Sequence, residues 1–286
     1  MTATAVVAKE GDDVKKRWIV FAIFFVLILC ALPLFFLPDG KPVSPQDEAS
    51  PPEPVLTRAQ TEDALEAGAL LTETIEVFPI PARYVISGVD GVKQYPDFPT
   101  GCESAAAVTA LRYCGAKITL AEFVDRYLKK SDDFRMIGDD LYGPDPKEFF
   151  IGSPRRDDSF GCMAPVIREA LRRAGGDAVE VTDLTGMGLS EICTRYIYED
   201  IPVLVWVTME MTPVEEGVEW FLPSGKHFVW PAGEHCMVLI GYDSDNYFLI
   251  DPETGAVRSW EKALVETRYK EMGKQALAVK GTAAPQ

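Results

Sequence analysis

The feature that most constrains this chain is an uncharged apolar run from Trp18 to Leu37. As a helix rising about 1.5 Å per residue, these twenty residues would cross the roughly 30 Å hydrocarbon core of a bilayer. Three basic residues, Lys15, Lys16 and Arg17, stand directly before the run and are expected to stay in the cytoplasm. The sequence therefore predicts a single-pass cell-membrane anchor at residues 18–37, with residues 1–17 cytoplasmic and the remainder extracytoplasmic.

Two other fates for this run are less consistent with its residues. A cleaved signal peptide would have an apolar core of about 7–15 residues followed by small residues, whereas bulky residues continue here through Leu34–Leu37. Acylation of Cys30, as in a lipoprotein, would require a small residue where Leu29 stands, and apolar residues continue past it. An uncleaved anchor is the preferred interpretation.

Composition divides the rest of the chain. Residues 38–55 contain six prolines among eighteen residues, together with several acids, which favours a stiff, extended spacer over helix or strand. We place a linker at residues 38–77, a folded domain at 78–280 and a short tail at 281–286.

The charge and the metal-ligating residues exclude several classes of function. The net charge is −16 and no basic cluster exceeds the three residues before the anchor, which argues against nucleic acid as a partner. The acidity either keeps the domain soluble or favours cationic peptides. Six cysteines without a Cys-x-x-Cys pair, and only two histidines, His227 and His235, do not match a zinc site. Neither a metal nor a cofactor is predicted, and the oligomeric state is not readable.

The predicted elements are helices first and strands afterwards, which indicates an α+β fold rather than alternating βαβ units. Residues 132–156 and 214–230 are expected to form loops. The predicted helices are 102–113, 119–130, 164–174, 190–198 and 260–269, and the predicted strands are 202–208, 236–242, 247–251 and 275–279.

Cys102 begins the first of these helices, where unpaired N–H groups and the helix dipole favour a thiolate. His235 stands before a buried strand and is the candidate base, and Asp251 ends the next strand. Taken alone, Cys102 has the character of an inert core cysteine. The occurrence of Cys, His and Asp at three element ends favours nucleophilic catalysis instead. His227 is the alternative base, in a predicted loop without a following apolar strand.

Five short motifs follow one another between Val85 and Trp260. They are QYPDFPTGCES from Gln94, FIGSP from Phe150, FG at Phe160, HCMVLIGY from His235 and DPETG from Asp251. Together they resemble the bacteriocin-processing (double-glycine leader) peptidase family, in particular its stand-alone, C-thirty-nine-like branch. The ATP-binding cassette and transport domains of true leader peptidases have no counterpart in this sequence, so coupling to export is not implied.

This resemblance implies a papain-like fold, with a helical half that carries the cysteine and an antiparallel sheet half that carries the histidine and the acid. It also implies a triad of Cys102 as nucleophile, His235 as base and Asp251 as orienting acid, with the Gln94 amide at the oxyanion. The expected activity is hydrolysis of peptide or isopeptide bonds in a peptide or protein substrate. A non-catalytic binding module and an acyltransferase that uses the same triad remain open. A disulfide among Cys114, Cys162 and Cys193 also remains open.

The hairpin that follows His235 gives a geometric test of Asp251. A regular four-residue loop would pair Asp251 with Val238 and turn its side chain away from His235. An odd-length loop, or a bulge for which Gly241 is a plausible position, would pair Asp251 with Met237 and place it on the same face as His235. The triad therefore predicts such an irregularity.

Overall fold

A computed structural model describes residues 80–282. Within that range no helix has both the length and the apolar character needed to cross a bilayer. The predicted anchor at 18–37, the predicted linker at 38–77 and Cys30 lie outside the described residues, so these remain predictions.

A seven-stranded sheet forms the centre of the domain. Its strands are β1 (Tyr84–Val85), β6 (Val179–Asp183), β7 (Val203–Thr208), β10 (Glu234–Tyr242), β11 (Asn246–Asp251), β12 (Ala256–Glu261) and β13 (Ala276–Gly281). They lie in the order β12-β11-β10-β7-β13-β6, and the short strand β1 pairs with the end of β10. All of its pairings are antiparallel. Apolar residues predominate in β7, β10 and β11, which are buried almost throughout because both faces of the sheet are covered.

Within residues 80–282 five α-helices accompany the sheet, and the first, α1 (Cys102–Tyr113), is buried from its first residue through Leu111. Its alanines carry no bulk beyond Cβ, which allows the helix to approach β10 and a neighbouring helix closely. Thr109 fixes one loop to this helix, since its hydroxyl accepts a hydrogen bond from the Val92 N–H at 2.9 Å. The helices are α1 (Cys102–Tyr113), α2 (Leu120–Glu122), α3 (Ala164–Gly175), α4 (Leu189–Arg195) and α5 (Lys262–Glu271).

The hairpin of β10 and β11 contains the predicted irregularity. Gly241 pairs with Phe248 but Leu239 pairs with Leu249, so Ile240 is an extra residue on β10. Because of this bulge Val238 pairs with Ile250, and Asp251 therefore stands opposite Met237. The prediction of a bulge in this hairpin is confirmed.

Two predicted loops are wrong, because they contain strands of two smaller sheets. Residues 132–156 hold β3 (Arg135–Ile137), β4 (Asp140–Tyr142) and β5 (Phe150–Ile151), and β5 pairs with β2 (Lys130–Ser131). Residues 214–230 hold most of the hairpin of β8 (Glu215–Phe221) and β9 (His227–Ala232). β8 joins β4, and an aromatic cluster that includes Trp220 and Trp230 packs beneath these strands. Tertiary packing of aromatic residues, not periodicity, gives these short segments their structure.

Three helix boundaries also differ from the predictions. The helix after Thr119 is shorter, because it passes into a π-helical turn at Phe123–Tyr127. Thr119 does cap it, accepting from the Glu122 N–H at 3.1 Å. Ser190 lies inside α4 rather than at its cap, which is Gly188. The last helix begins at Lys262, because Trp260 belongs to strand β12.

Candidate active site

Cys102 is the first residue of α1, and the N-cap residue before it, Gly101, has no side chain with which to cap the helix. A Cβ on Gly101 would lie 2.8 Å from the Phe98 Cβ, so a larger residue does not fit beside the nucleophile without a shift. The cysteine is 6% exposed. The predicted position of Cys102 at a helix N-terminus is confirmed.

His235 and Asp251 are brought together from adjacent strands. The His235 Nε2 lies 3.0 Å from the Asp251 Oδ1, and both side chains are almost fully buried. His235 lies within β10, one residue after its start, and not before the strand as expected. Because Nε2 faces the carboxylate, Nδ1 is the ring nitrogen left for proton transfer.

The Asp251 side chain is held by two further interactions. Its Oδ1 accepts from the Glu253 N–H at 2.9 Å, and its Oδ2 lies 3.1 Å from the Arg258 Nη1. Arg258 is in turn fixed by Glu210, whose Oε2 is 2.7 Å from Nη2. Burial alone would raise the pKa of Asp251, but the hydrogen bonds and charges of His235, with smaller effects of Glu253 and Arg258, lower it below its ordinary value. Asp251 is therefore an ionised acceptor for the imidazole.

Glu210 reaches Arg258 from an unusual backbone conformation. Its φ of 50° lies in the left-handed region, as does that of Met211 at 52°. Non-glycine residues rarely adopt this region, and they keep it where surrounding contacts hold them there. The bidentate ion pair with Arg258 is such a contact. Sequence reasoning missed Glu210 and Arg258, because no local pattern indicates that they meet Asp251.

The Cys102 thiol does not have the environment that its helix end alone predicts. Its Sγ lies 3.4 Å from the Glu103 Oε2, and a second buried carboxyl, that of Glu234, is close by. Burial, and then the charges of Glu103 and Glu234, raise the thiol pKa well above its ordinary value, only partly opposed by a hydrogen bond from the Cys236 N–H. Burial and the two carboxyls thus oppose the thiolate that the helix end alone favours.

The two carboxyls differ in their partners. Burial raises the pKa of Glu103 to about 7, although hydrogen bonds from its own N–H and that of Cys162 oppose the shift. The Cys162 N–H lies 2.6 Å from the Glu103 Oε1. Glu234 has its pKa raised well above the ordinary value by burial and by the charge of Glu103. Both glutamates adjoin predicted site residues, Cys102 and His235, and that adjacency is the only signal the sequence offers.

Gln94 lies near the triad but its amide is engaged elsewhere. Its N–H donates to the Pro252 carbonyl at 2.8 Å, which joins this loop to the turn after Asp251. Its side-chain Nε2 donates to the Pro99 carbonyl at 2.9 Å, and its Oε1 is buried without a hydrogen-bond partner in the described part of the chain. The oxyanion role of Gln94 stays a prediction, and it requires the amide to reorient.

The remaining candidates lie elsewhere or are free thiols. His227 begins strand β9, where its ring packs on Phe221 and its Nε2 lies 3.2 Å from Glu219. The structure therefore does not give it the Asp251 partner that His235 has. Among residues 80–282 the cysteines are unpaired thiols, so the possible disulfide is not formed; they are Cys102, Cys114, Cys162, Cys193 and Cys236.

Comparisons with known proteins agree with this architecture. A family model described as "Peptidase_C39 like family" matches residues 86–277. The uncharacterized protein YvpB of Bacillus subtilis (strain 168) is 27% identical over 184 residues, which cover 64% of this chain and 70% of that protein. The crystal structure of a protein from Bacillus anthracis described as a C39-like peptidase superposes with a TM-score of 0.62 at 22% identity, over 71% of this chain and 99% of that one. At this identity the superposition shows the fold.

Proposed function

Because the chain belongs to the Peptidase_C39 like family, we propose that it is a cysteine peptidase that cleaves peptide or isopeptide bonds through an acyl-thioester on Cys102. The observation that carries this proposal is the buried His235–Asp251 pair at 3.0 Å. Cys236, the residue after His235 on the strand, donates its backbone N–H to the Cys102 sulfur. A buried carboxylate that binds the imidazole and is itself held by an arginine matches the orienting acid of a catalytic triad.

In this proposal the His235 Nδ1 takes the thiol proton as the sulfur attacks the substrate carbonyl carbon. The positive charge on the ring is stabilised by Asp251 through Nε2. The first N–H groups of α1 are directed towards the developing oxyanion, and the Gln94 amide is the proposed second donor. The protonated ring then gives its proton to the leaving amine, which leaves an acyl group on Cys102.

The second half of the reaction uses the same groups. A water molecule gives a proton to Nδ1 and attacks the thioester carbonyl, which releases the carboxylic acid product. The proton returns to the sulfur and restores the neutral thiol. A substrate amine in place of water would give acyl transfer, and the nature of the products distinguishes the two outcomes.

We also propose that the peptidase domain stands outside the cytoplasm, held by the anchor at residues 18–37. Support for this comes from the uncharged run and the basic residues before it. Its substrate would then be a peptide or protein segment reachable from the outer membrane face. Protease protection of intact spheroplasts tests the location, since an extracytoplasmic domain is digested by added protease and a cytoplasmic one is not.

The test of the activity uses the full chain in mild detergent with a mixed peptide library, and mass spectrometry of the products. We expect new carboxyl and amino ends that vanish in Cys102→Ala, and an adduct on Cys102 with the mass of the released acyl group. Alkylation of Cys102 by limiting iodoacetamide near neutral pH should slow by roughly 100-fold in His235→Ala, the size typical of a lost general base.

His227→Ala is the matched control, because that histidine is exposed on strand β9 and should leave the alkylation rate unchanged. Cleavage that persists in Cys102→Ala would refute the nucleophile. A Cys102 alkylation rate indifferent to His235→Ala, together with no cleavage, would favour a binding module on the same scaffold.

A further inference from the structure

Three side chains with metal-binding atoms, including that of the nucleophile Cys102, lie close together. The Cys102 sulfur and one carboxylate oxygen each from Glu103 and Glu234 lie within 4.8 Å of one another, and all three residues are buried. Two come from the start of α1 and the third from the start of β10. The fold therefore assembles them from segments 131 positions apart (103 and 234).

Glu234 supplies an observation that is independent of this proximity. It is 8% exposed, and its Oε1 has no hydrogen-bond partner within residues 80–282. In the same range no ion pair reaches either Glu103 or Glu234. A buried carboxyl without a partner is costly, unless it is neutralised or binds a cation.

Gly161 shows where the two carboxyls point. A Cβ built on this residue would lie 2.6 Å from the Glu103 Oε1 and 2.9 Å from the Glu234 Oε2. Both carboxyls therefore converge on the space that the missing side chain leaves. The second cluster of acids, Glu210, Asp251 and Glu253, differs in having the Arg258 guanidinium already bound to it.

We propose that Cys102, Glu103 and Glu234 form a binding site for a divalent transition metal of the Zn²⁺ class. A thiolate with two carboxylates suits Zn²⁺ or Co²⁺, whereas Mg²⁺ and Ca²⁺ take oxygen ligands alone. Ligand atoms around a tetrahedral Zn²⁺ are about 3.5 Å apart, and the Cys102 Sγ is already 3.4 Å from the Glu103 Oε2. On binding, the thiol proton is released to solvent and the sulfur becomes a ligand.

A metal in this site would hold the peptidase inactive. Its bond to the Cys102 sulfur occupies the electron pair that attacks the substrate carbonyl. Removal of the metal would restore the thiol, so the same three residues would make the nucleophile sensitive to metal concentration. This consequence rests on the proposed function, whereas metal binding itself does not.

The test is a Co²⁺ titration of the reduced, EDTA-stripped full chain carrying Cys30→Ser, followed by absorption spectroscopy. We expect one Co²⁺ per chain, with a thiolate-to-metal charge-transfer band in the near ultraviolet and visible bands of a four-coordinate site. Zn²⁺ should displace the Co²⁺ and abolish both features. Cys102→Ser should remove the charge-transfer band, and Glu234→Gln should weaken binding by roughly tenfold or more, since even ligand-supporting residues have effects of that size.

Cys193→Ser is the control, because it removes a buried thiol on α4 outside the three-residue cluster and should leave the titration unchanged. A charge-transfer band that survives Cys102→Ser, or a Co²⁺ affinity indifferent to Glu234→Gln, would overturn the proposal.

X-ray absorption of the Co²⁺ or Zn²⁺ adduct of the otherwise unmodified chain removes any dependence on the folding of variants. A shell with sulfur at about 2.3 Å and oxygens at about 2.0 Å is expected, and a shell without sulfur would refute the site. Peptide cleavage by the metal-free chain is measured separately, so loss of the metal site and loss of the proposed activity are distinguishable results.

Discussion

Replacement of Arg258 by methionine should show how much the triad depends on a residue that touches neither the nucleophile nor the base. The guanidinium binds the Asp251 Oδ2 at 3.1 Å and is only 19% exposed. Methionine keeps much of the side-chain volume but removes the charge, and with it the Glu210 ion pair and the contact of the guanidinium carbon with the Trp260 ring, 4.5 Å from its centroid. The substitution therefore tests the interactions of the guanidinium rather than the volume of the side chain.

The expected loss is about 2–3 kcal/mol of unfolding free energy at pH 7. Two unit charges about 4 Å apart at an effective dielectric constant near 20 interact by about 4 kcal/mol. Solvent contact of the guanidinium reduces this figure, and Asp251 keeps the hydrogen bonds of His235 and Glu253. Urea unfolding measures the difference, which corresponds to a fall in Tm of about 5–10 °C for a domain of this size.

Arg155→Met is the matched control. Arg155 makes an ion pair of the same kind with Asp125, but those side chains are 42% and 56% exposed. Exposed pairs typically contribute under about 1 kcal/mol. If the two variants lose the same free energy, burial is not what makes the Arg258 pair important, and the reasoning fails.

The pH dependence of Arg258→Met has a definite sign. Asp251 has a lowered pKa in the fold, so its pairing stabilises the protein above the unfolded pKa of about 4 and is lost as the pH falls through the folded value. Removal of the guanidinium raises that pKa. The acid limb of the pH–rate profile for peptide cleavage should therefore move to higher pH in the variant. An acid limb at the same pH in both proteins would contradict an ionised Asp251.

Three further changes test the site and its supports. Gln94→Ala should lower kcat by about 10- to 100-fold while Cys102 alkylation is unchanged, since alkylation forms no oxyanion; an unchanged kcat would leave Gln94 a structural role. Gly241→Ala should cost about 1–3 kcal/mol in urea unfolding, because its Cβ would lie 2.7 Å from the Tyr84 carbonyl oxygen, and full stability would mean that β1 moves away freely. Thr109→Val should cost about 1–3 kcal/mol, because the Val92 N–H loses its buried acceptor; a neutral result would mean that another group accepts that bond.

The sequence could predict the parts of the fold that local pattern determines. The alanine-rich run after Gly101 predicts helix α1, and long apolar runs predict strands β7, β10 and β11. The hairpin register was also accessible, since only an irregularity between β10 and β11 places Asp251 with His235. The sequence could not identify which residue forms the bulge, because Ile240 is recognised as the extra residue only from the pairing of both strands.

The short strands and the buried acids were not predictable in the same way. Strands β3, β4 and β8 have three to seven residues and little alternation, and they are stabilised by packing against Trp220 and its aromatic neighbours. Glu103 and Glu234 have the sequence character of solvated charges. Their burial follows from the meeting of α1 with β10, which no spacing rule for metal ligands or catalytic acids describes.

These acids bear on how the proposed reaction begins. A helix N-terminus favours a thiolate, but here burial and two carboxyls oppose it, and the thiol pKa is raised. A preformed thiolate–imidazolium pair is then disfavoured at rest. The proton should leave Cys102 only as the sulfur approaches a substrate carbonyl, because at that moment the negative charge moves away from Glu103 and onto the oxyanion. Such a nucleophile is selective for substrates that occupy the site, because its proton passes to His235 as the sulfur attacks the substrate carbonyl.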